Sequence, residues 1–596
     1  SHVATVAEIC RRLDGLPLAI ELAAARVRML SPTELLTRLA QPLAVLTGGP
    51  RDAPDRHRSL RATIAWSHDL LTPEEQDVFA ALSVFAGGFI TEAAELLVAP
   101  GGRKRWPSPA PEDSLPSHDP GASSAAHVLD LIAALVDHSL LRQTATATGE
   151  ARLSMLETIH EYARERLQFR GEADALRRRH AELFLSLAEL AAPELAGAEQ
   201  AAWLDRLESD HDNLRQALTT FLESDDGPNA LRLAAALWRF WWRRGFLSEG
   251  RRWLERVIAA GDASDPRMLA TAHDGAGALA EAQGDFAAAA VHHQAALALW
   301  REIGDRRGEA RALADFAMIA DKLGDPERAR ELYTEALAIA REEGDQPRVA
   351  ACLANLGFVA LDQGELESAA RFFRESLTGF RALGDPRNIS YVLGGLGTLL
   401  FLQGDFGGAV AIQEEALVVL RQLGDPQGIA DTVADLAHAV QRQGDTARAQ
   451  ELYAEALHRY RELGDPGGAA FVLTHLGRLA RELGDVAGAA SLLRESVQIS
   501  WQLGEKPLLT EAVEGLDETA CASGEAVLCA RPLGAADALR EETGIPLPAL
   551  HAPSIAWCVA TARAALGDAG YAAARGEGRA LGPEQTLAPL AIGGGH

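Results

Sequence analysis

The sequence predicts a mainly α-helical chain: a small helical domain closed by a two-stranded hairpin, then a long solenoid of stacked helix pairs. Three observations predict it. First, Gly284-Asp285, Gly324-Asp325, Gly364-Glu365, Gly404-Asp405, Gly444-Asp445, Gly484-Asp485 and Gly524-Glu525 recur at one spacing. Second, Gly304-Asp305, Gly344-Asp345, Gly384-Asp385, Gly424-Asp425, Gly464-Asp465 and Gly504-Glu505 fall halfway between them. Third, small residues hold fixed places in the frame: Gly277, Ala317, Gly357, Gly397, Ala437 and Gly477 in the first helix, and Ala289, Ala329, Ala369, Ala409, Ala449 and Ala489 in the second. Self-similarity at such a period specifies a solenoid, because one unit alone cannot bury its apolar face.

Each dipeptide has a mechanical reason. Glycine closes one helix in the left-handed conformation and the following acid caps the next. Pro326, Pro386, Pro426 and Pro466 stand at the first helical position, where a missing N–H costs nothing. Small residues let two antiparallel helices approach. Leu297, Leu337, Leu377, Leu417, Leu457 and Val497 fill the space between units. The unit resembles the tetratricopeptide repeat, with "NLGFVALDQGELESAARFFRESL" from Asn355 a close match. Those repeats usually run ~34 residues, so the helices here are longer. The constant columns read as packing. Ligand contacts are expected where the frame varies: Ala278, Met318, Phe358, Thr398, His438 and Arg478, and one turn on Ala282, Lys322, Asp362, Leu402, Arg442 and Glu482. By analogy with tetratricopeptide repeats these positions line a concave groove, which is either a ligand or partner surface or an internal docking surface. The possible groove contacts are Met318, Lys322, Phe358, Asp362, His438, Arg442, Arg478 and Glu482.

At 596 residues with a formal charge of −27 the chain calls for several domains and argues against a long nucleic-acid face. Arg177, Arg178, Arg179 and His180 form a local basic cluster that reads as a solvated helix face. Cys10, Cys352, Cys521, Cys529 and Cys558 show no metal-ligand spacing, and an odd count fits a reducing cytoplasm. No metal site is expected. No stretch approaches the ~20 apolar residues of a membrane helix. The start is no signal peptide, and Ser1 in place of methionine suggests a fragment or processed product.

In the first third, Val6 to Leu30 is two helical stretches broken at Gly15-Leu16-Pro17-Leu18. With Ile9-Cys10 upstream and "AIELAAAR" downstream, this resembles the end of the NB-ARC type nucleotide-binding module of STAND signalling ATPases. The resemblance implies that Gly15, Leu16 and Pro17 contact nucleotide. It also implies ATP or ADP in a full-length parent. Lys104, Lys322 and Lys506 are the chain's lysines, and none follows a Gly-x-x-x-x-Gly-Lys-[Ser/Thr] loop. The chain alone is expected to be no enzyme and to hold no cofactor.

Thr72-Pro73-Glu74-Glu75 reads as a helix start. A helical run over His127 to Leu140 and a hairpin centred on Gly149-Glu150 complete a winged-helix order. In the resembled family this domain packs on the nucleotide rather than reading DNA. The Met-His-Asp sequence found there becomes Met155-Leu156-Glu157, so the phosphate-sensing histidine is absent, and His160 reads as a surface histidine. Residues 100–125 are rich in Pro, Ser and Gly and read as a flexible insertion.

Trp203, Leu204, Leu207 and Leu214 fall at helical spacing in a bridge. Trp238, Phe240, Trp241, Trp242 and Trp253 read as a cap on the first repeat, a ligand cage being the other reading. From Arg531 the frame lapses, and Asp517 already stands where a small residue belongs. The expected organisation is a nucleotide-module remnant (1–48), a winged-helix domain (59–170), a helical bridge (171–229), tetratricopeptide-like repeats (230–530) and a helical cap and tail (531–596). Together with a tail resembling the end of the LuxR-type sensor region, the resemblance implies the cytoplasmic sensor portion of a bacterial STAND regulator of the LuxR or AfsR-like type. A protein or small-molecule inducer would sit on the groove, with self-association possible and no direct binding of nucleic acid or membrane. The alternative is a repeat scaffold for protein–protein interaction without nucleotide dependence.

Overall fold

The computed structural model describes residues 2–13, 17–27, 29–39, 42–46, 59–98, 106, 121–145, 151–197, 199–260, 265–524, 526–544, 547 and 552–580. The chain divides into two compact units, Ser1–Leu323 and Gly324–His596. No helix among the described residues is long and apolar enough to cross a membrane.

The first unit opens with α1 (His2–Arg12), α2 (Pro17–Arg26), α3 (Pro32–Arg38), α4 (Pro42–Val45) and α5 (Leu60–Asp69). The winged helix follows: α6 (Pro73–Ala81), α7 (Thr91–Val98), α8 (Gly121–Asp137), strands β1 (Arg142–Ala145) and β2 (Ala151–Ser154), and α9 (Glu157–Arg170). Helix α6 starts where expected, since the Thr72 side chain accepts from the Glu75 amide and the Glu75 side chain accepts from the Thr72 amide. The strands pair antiparallel with Arg142 opposite Ser154, and Phe89 adds a bridge to Leu153. The centre of the hairpin, Gly149-Glu150, and all of the 100–125 insertion except Trp106 and the first turns of α8 lie outside the described residues.

The bridge is α10 (Ala173–Glu194), α11 (Gln200–Ser209) and α12 (His211–Glu223). The first helix pairs are α13 (Gly227–Arg244) with α14 (Leu247–Ala259) and α15 (Pro266–Ala282) with α16 (Phe286–Ile303), followed by α17 (Arg306–Lys322). Phe79, Phe89, Phe184, Phe221, Phe240 and Trp241 are fully buried in this unit's core. Each such side chain contributes roughly 1.5–3 kcal/mol.

The second unit begins at α18 (Pro326–Glu342) and alternates α19 (Gln346–Asp362), α20 (Leu366–Leu383), α21 (Pro386–Leu402), α22 (Phe406–Leu423), α23 (Pro426–Gln443), α24 (Thr446–Leu463), α25 (Pro466–Glu482), α26 (Val486–Leu503), α27 (Lys506–Ala522), α28 (Ala526–Thr543) and α29 (Ala552–Ala580). The Gly-Asp turns work as read. Gly424 (φ 64°) and Gly444 (φ 94°) close helices in the left-handed region, and Asp425 and Asp445 accept from the amides of Gly428 and Arg448. Glu365 and Glu505 hold the same place but make no side-chain cap, their extra methylene carrying the carboxylate past the amides. The frame does not lapse at Arg531: α28 runs on to Gly544, left-handed at φ 69° and in register with Gly504 and Gly524. The last hairpin is therefore full length.

Candidate functional site

In the second unit the varying helix positions make local contacts with neighbouring helices. His438, half-buried on α23, packs 4.4 Å from the Phe401 ring and 4.5 Å from His475, which lies 4.5 Å from Phe471. Arg442 stacks over Phe406 at 5.3 Å. Arg478 is buried and donates to the Glu511 carbonyl at 3.2 Å, while Glu482 accepts from Gln441 at 3.3 Å. Phe358 lies between Phe373 and Tyr391, at 4.9 and 4.7 Å, with Asp362 exposed at the end of α19. Met318, half-buried, and Lys322, exposed, belong to the first unit. Gly15 and Leu16 lie outside the described residues, and Pro17 opens α2 with its side chain undescribed.

Sequence reasoning missed one turn of the same face. Asp431, Asp435, Phe471 and His475 belong to columns that vary as freely as those singled out, and that variation was the available signal. Asp431 accepts from Tyr460 at 2.9 Å and from Gln427 at 3.1 Å. Asp435 keeps solvent access yet is crowded by protein. Desolvation, with the charge of Asp431 beside it, pushes its carboxyl up to about 7. The face thus offers two exposed carboxylates near the half-buried rings of Phe401, His438 and Phe471, with His475 buried beneath them.

In the first unit, Trp238, Arg239, Trp242, Arg243, Glu281, His293 and Asp315 wall a cavity of about 370 Å³. The aromatic cluster is split in its duties. Phe240, Trp241 and Trp253 are buried as cap, whereas Trp238 and Trp242 face the cavity, each covered by an arginine at 4.4 and 4.6 Å. His293 is 1% exposed with neither ring nitrogen partnered, and burial pushes it down to about 4. Asp274 lies behind it, accepting from Arg311 at 2.7 Å and Trp300 at 3.1 Å. The cavity lining combines aromatic faces and two arginines with the carboxylates of Glu281 and Asp315 and the His293 imidazole.

A buried polar network ties the wing to the bridge. Arg152 on β2 donates to Asp210 at 2.7 Å and to the Gly88 carbonyl at 2.9 Å. Asn213 donates to the same carbonyl at 2.9 Å and accepts from the Ala86 amide at 2.8 Å. His180 reaches Asn213 at 3.2 Å and is fully buried against Phe85 and Phe184. This corrects the reading of a solvated cluster: Arg178 is exposed and Arg177 half-buried, but Arg179 is half-buried and donates to the Leu96 carbonyl at 3.0 Å, and His180 faces the core. His160 differs from expectation too. It donates to the Ser83 carbonyl at 2.7 Å, accepts from Arg164 at 2.8 Å, and is pushed down to about 4 by burial.

Comparisons with known proteins agree with this architecture. Tetratricopeptide repeat models match residues 267–342, 324–382, 348–422, 388–462 and 428–500, and a winged helix-turn-helix model matches 120–168. The chain is 37% identical over 329 residues to "Putative HTH-type transcriptional regulator Rv0890c" of Mycobacterium tuberculosis, covering 52% of this chain and 34% of that protein. It is 38% identical over 176 residues to "Uncharacterized protein Rv0894" of the same organism, covering 30% and 40%. The chain spans between about a third and two fifths of the length of the curated relatives it matches. Among solved structures, the Pyrococcus horikoshii STAND protein PH0952, with a tetratricopeptide repeat sensor, aligns with a TM-score of 0.43 and 15% identity, over 83% of this chain and 72% of that one.

Proposed function

We propose that this chain is the sensor and regulatory segment of a transcriptional regulator, whose repeats bind a peptide or protein partner. The observation that carries this reading is the placement of Asp431, Asp435 and His438 at helical spacing on α23, the two aspartates exposed and the half-buried His438 ring packed on the buried His475. A basic side chain of the partner would meet the two aspartates, and an apolar one would lie on the rings of Phe401 and Phe471. The 37% identity to a protein named as an HTH-type transcriptional regulator supports the regulatory assignment.

The winged helix serves in this reading as a transmission module rather than a DNA reader. Helix α8 carries no Arg or Lys, and Asp130 and Asp137 stand on it, so phosphate neutralisation has no cations there. Partner binding would bias the wing through the Arg152–Asp210–Asn213 network, and only by as much as the partner discriminates two states. The resemblance around Gly15, Leu16 and Pro17 extends the reading to an ATP or ADP switch in the complete protein.

The test is random-peptide display on the full chain, followed by titration of enriched peptides. Enriched peptides should carry basic and apolar residues and bind at least about tenfold more weakly to Asp435→Asn, a loss near 1.4 kcal/mol. Failure of any peptide to enrich, or indifference of enriched peptides to Asp435 and His438, overturns the reading. Binding that responds in no way to added ATP or ADP in a longer form of the protein favours the scaffold alternative.

A further inference from the structure

Two of the most constrained columns of the repeat are broken together in its last hairpin. Where earlier units hold Gly277 to Gly477 or their alanine equivalents, α27 carries Asp517; where they hold Ala289 to Ala489, α28 carries Cys529. Both columns face the partner helix of the hairpin, so the two replacements meet. Cys521 lies one turn beyond Asp517 on the same face, and α29 supplies Cys558. One ligand-type atom from each of the four lies within 4.8 Å of all the others. Asp517, Cys529 and Cys558 are wholly buried and Cys521 is 4% exposed.

The structure joins Cys521 to Cys529 as a disulfide, with both sulfurs beside the Cys558 carbonyl at 4.0 and 3.6 Å. A disulfide accounts for two of these groups and leaves Asp517 and Cys558 facing each other, a buried carboxylate against a single thiol. The wholly buried Asp517 carboxylate has the Cys558 thiol, the third sulfur, as its one side-chain hydrogen-bond donor, with Glu514 and Glu518 close by on the same helix and no cation among the described residues paired to it. A lone buried carboxylate is expensive unless a cation or donors compensate it.

We propose that the thiol form of this cluster holds one divalent metal ion, zinc by its chemistry, between Sγ of Cys521, Cys529 and Cys558 and a carboxylate oxygen of Asp517. Three thiolates and one carboxylate form a borderline-soft tetrahedral set. On binding, the three thiols release their protons to solvent. No electrons move, and the chain leaves the ribosome with thiols, so no reductant is required. All four positions are filled by protein, which makes the site structural: it pins α27, α28 and α29 together beyond the last repeat, and its binding energy becomes folding energy there. Spacing alone hides the set, because the ligands come from three helices and one of them is an aspartate.

The test is metal analysis of the full chain grown with zinc and purified without chelator, beside thiol counting and intact mass. About one zinc per chain is expected, with three thiols becoming reactive on chelation. Cys558→Ser and Asp517→Ala should weaken binding at least about tenfold. Should those variants fail to fold, cobalt added to the metal-free wild type reports independently through thiolate-to-cobalt charge-transfer absorption. Metal-free protein lighter by two hydrogens, or cobalt without that absorption, overturns the proposal in favour of the disulfide. Zinc retained in Cys521→Ser/Cys529→Ser but lost in His293→Ala overturns it in favour of the Asp274–His293–Asp315 cluster.

Discussion

Asp210→Ala is the perturbation that tests how the wing is held. Asp210 is 2% exposed and accepts from Arg152 at 2.7 Å, Arg206 at 3.1 Å and Asn213 at 3.2 Å. Its removal leaves the Arg152 guanidinium in a site where that side chain is only 10% exposed. Breaking a buried ion pair from one side costs about 3–5 kcal/mol, because the remaining charge stays desolvated. Arg152 retains the Gly88 carbonyl, which places the expected cost near the lower bound, about 3 kcal/mol. The assay is amide hydrogen exchange at Phe89 and Leu153, which bond each other reciprocally at 2.8 Å and so report opening of the wing. A loss of about 3 kcal/mol speeds their exchange by roughly two orders of magnitude. The double variant Arg152→Met/Asp210→Leu removes both charges and should restore most of the protection. Acceleration below about tenfold in Asp210→Ala, or a double variant as open as the single one, would refute the argument.

Three further outcomes are expected. Glu505→Asp should stabilise by about 1 kcal/mol in thermal unfolding, since Glu505 (φ −81°, ψ 83°) has nearly the backbone of Asp485 (φ −84°, ψ 76°) but lacks its cap bond to the amide three residues on; no change would show that the backbone there cannot present a cap. His180, pushed down to about 4 from 6.5 by burial, stays neutral when folded while the unfolded chain takes up a proton. Its contribution is therefore complete above pH 6.5 and drains as pH falls toward 4, by about 3 kcal/mol at most. Urea unfolding at pH 7 and 4.5 should show a smaller acid loss in His180→Gln than in wild type. Gly277→Ala sets a methyl 2.6 Å from the His293 ring and should cost about 1–3 kcal/mol in urea unfolding, whereas the alanine at the equivalent Ala317 is native.

Much of the fold was legible because it repeats. A cap at Asp425, a left-handed turn at Gly424 and a small residue at Ala437 are local decisions, and each recurrence tests the last. The varying face of α23 was half legible for the same reason: variation at His438 and Arg442 stood out, and Asp431 and Asp435 vary too but lie one helical turn away on a face whose limits the sequence does not mark. Histidines were read poorly. His160 and His180 sit in polar, arginine-rich stretches, yet each turns its ring inward to a partner, Ser83 and Asn213, many residues distant.

By itself the sequence determined the Gly-Asp turns that bound the repeat helices, the repeat itself and the winged-helix order, since periodicity and capping act over one or two turns of chain. Tertiary structure alone decided that Arg152 meets Asp210, that Trp238 and Trp242 wall a cavity while Trp241 fills the core, and that Asp517 finds three cysteines from α27, α28 and α29. Those pairings depend on how stacked helices rotate about their axes. A rotation of a few tens of degrees changes which side chains face each other without altering the helical pattern written in the chain.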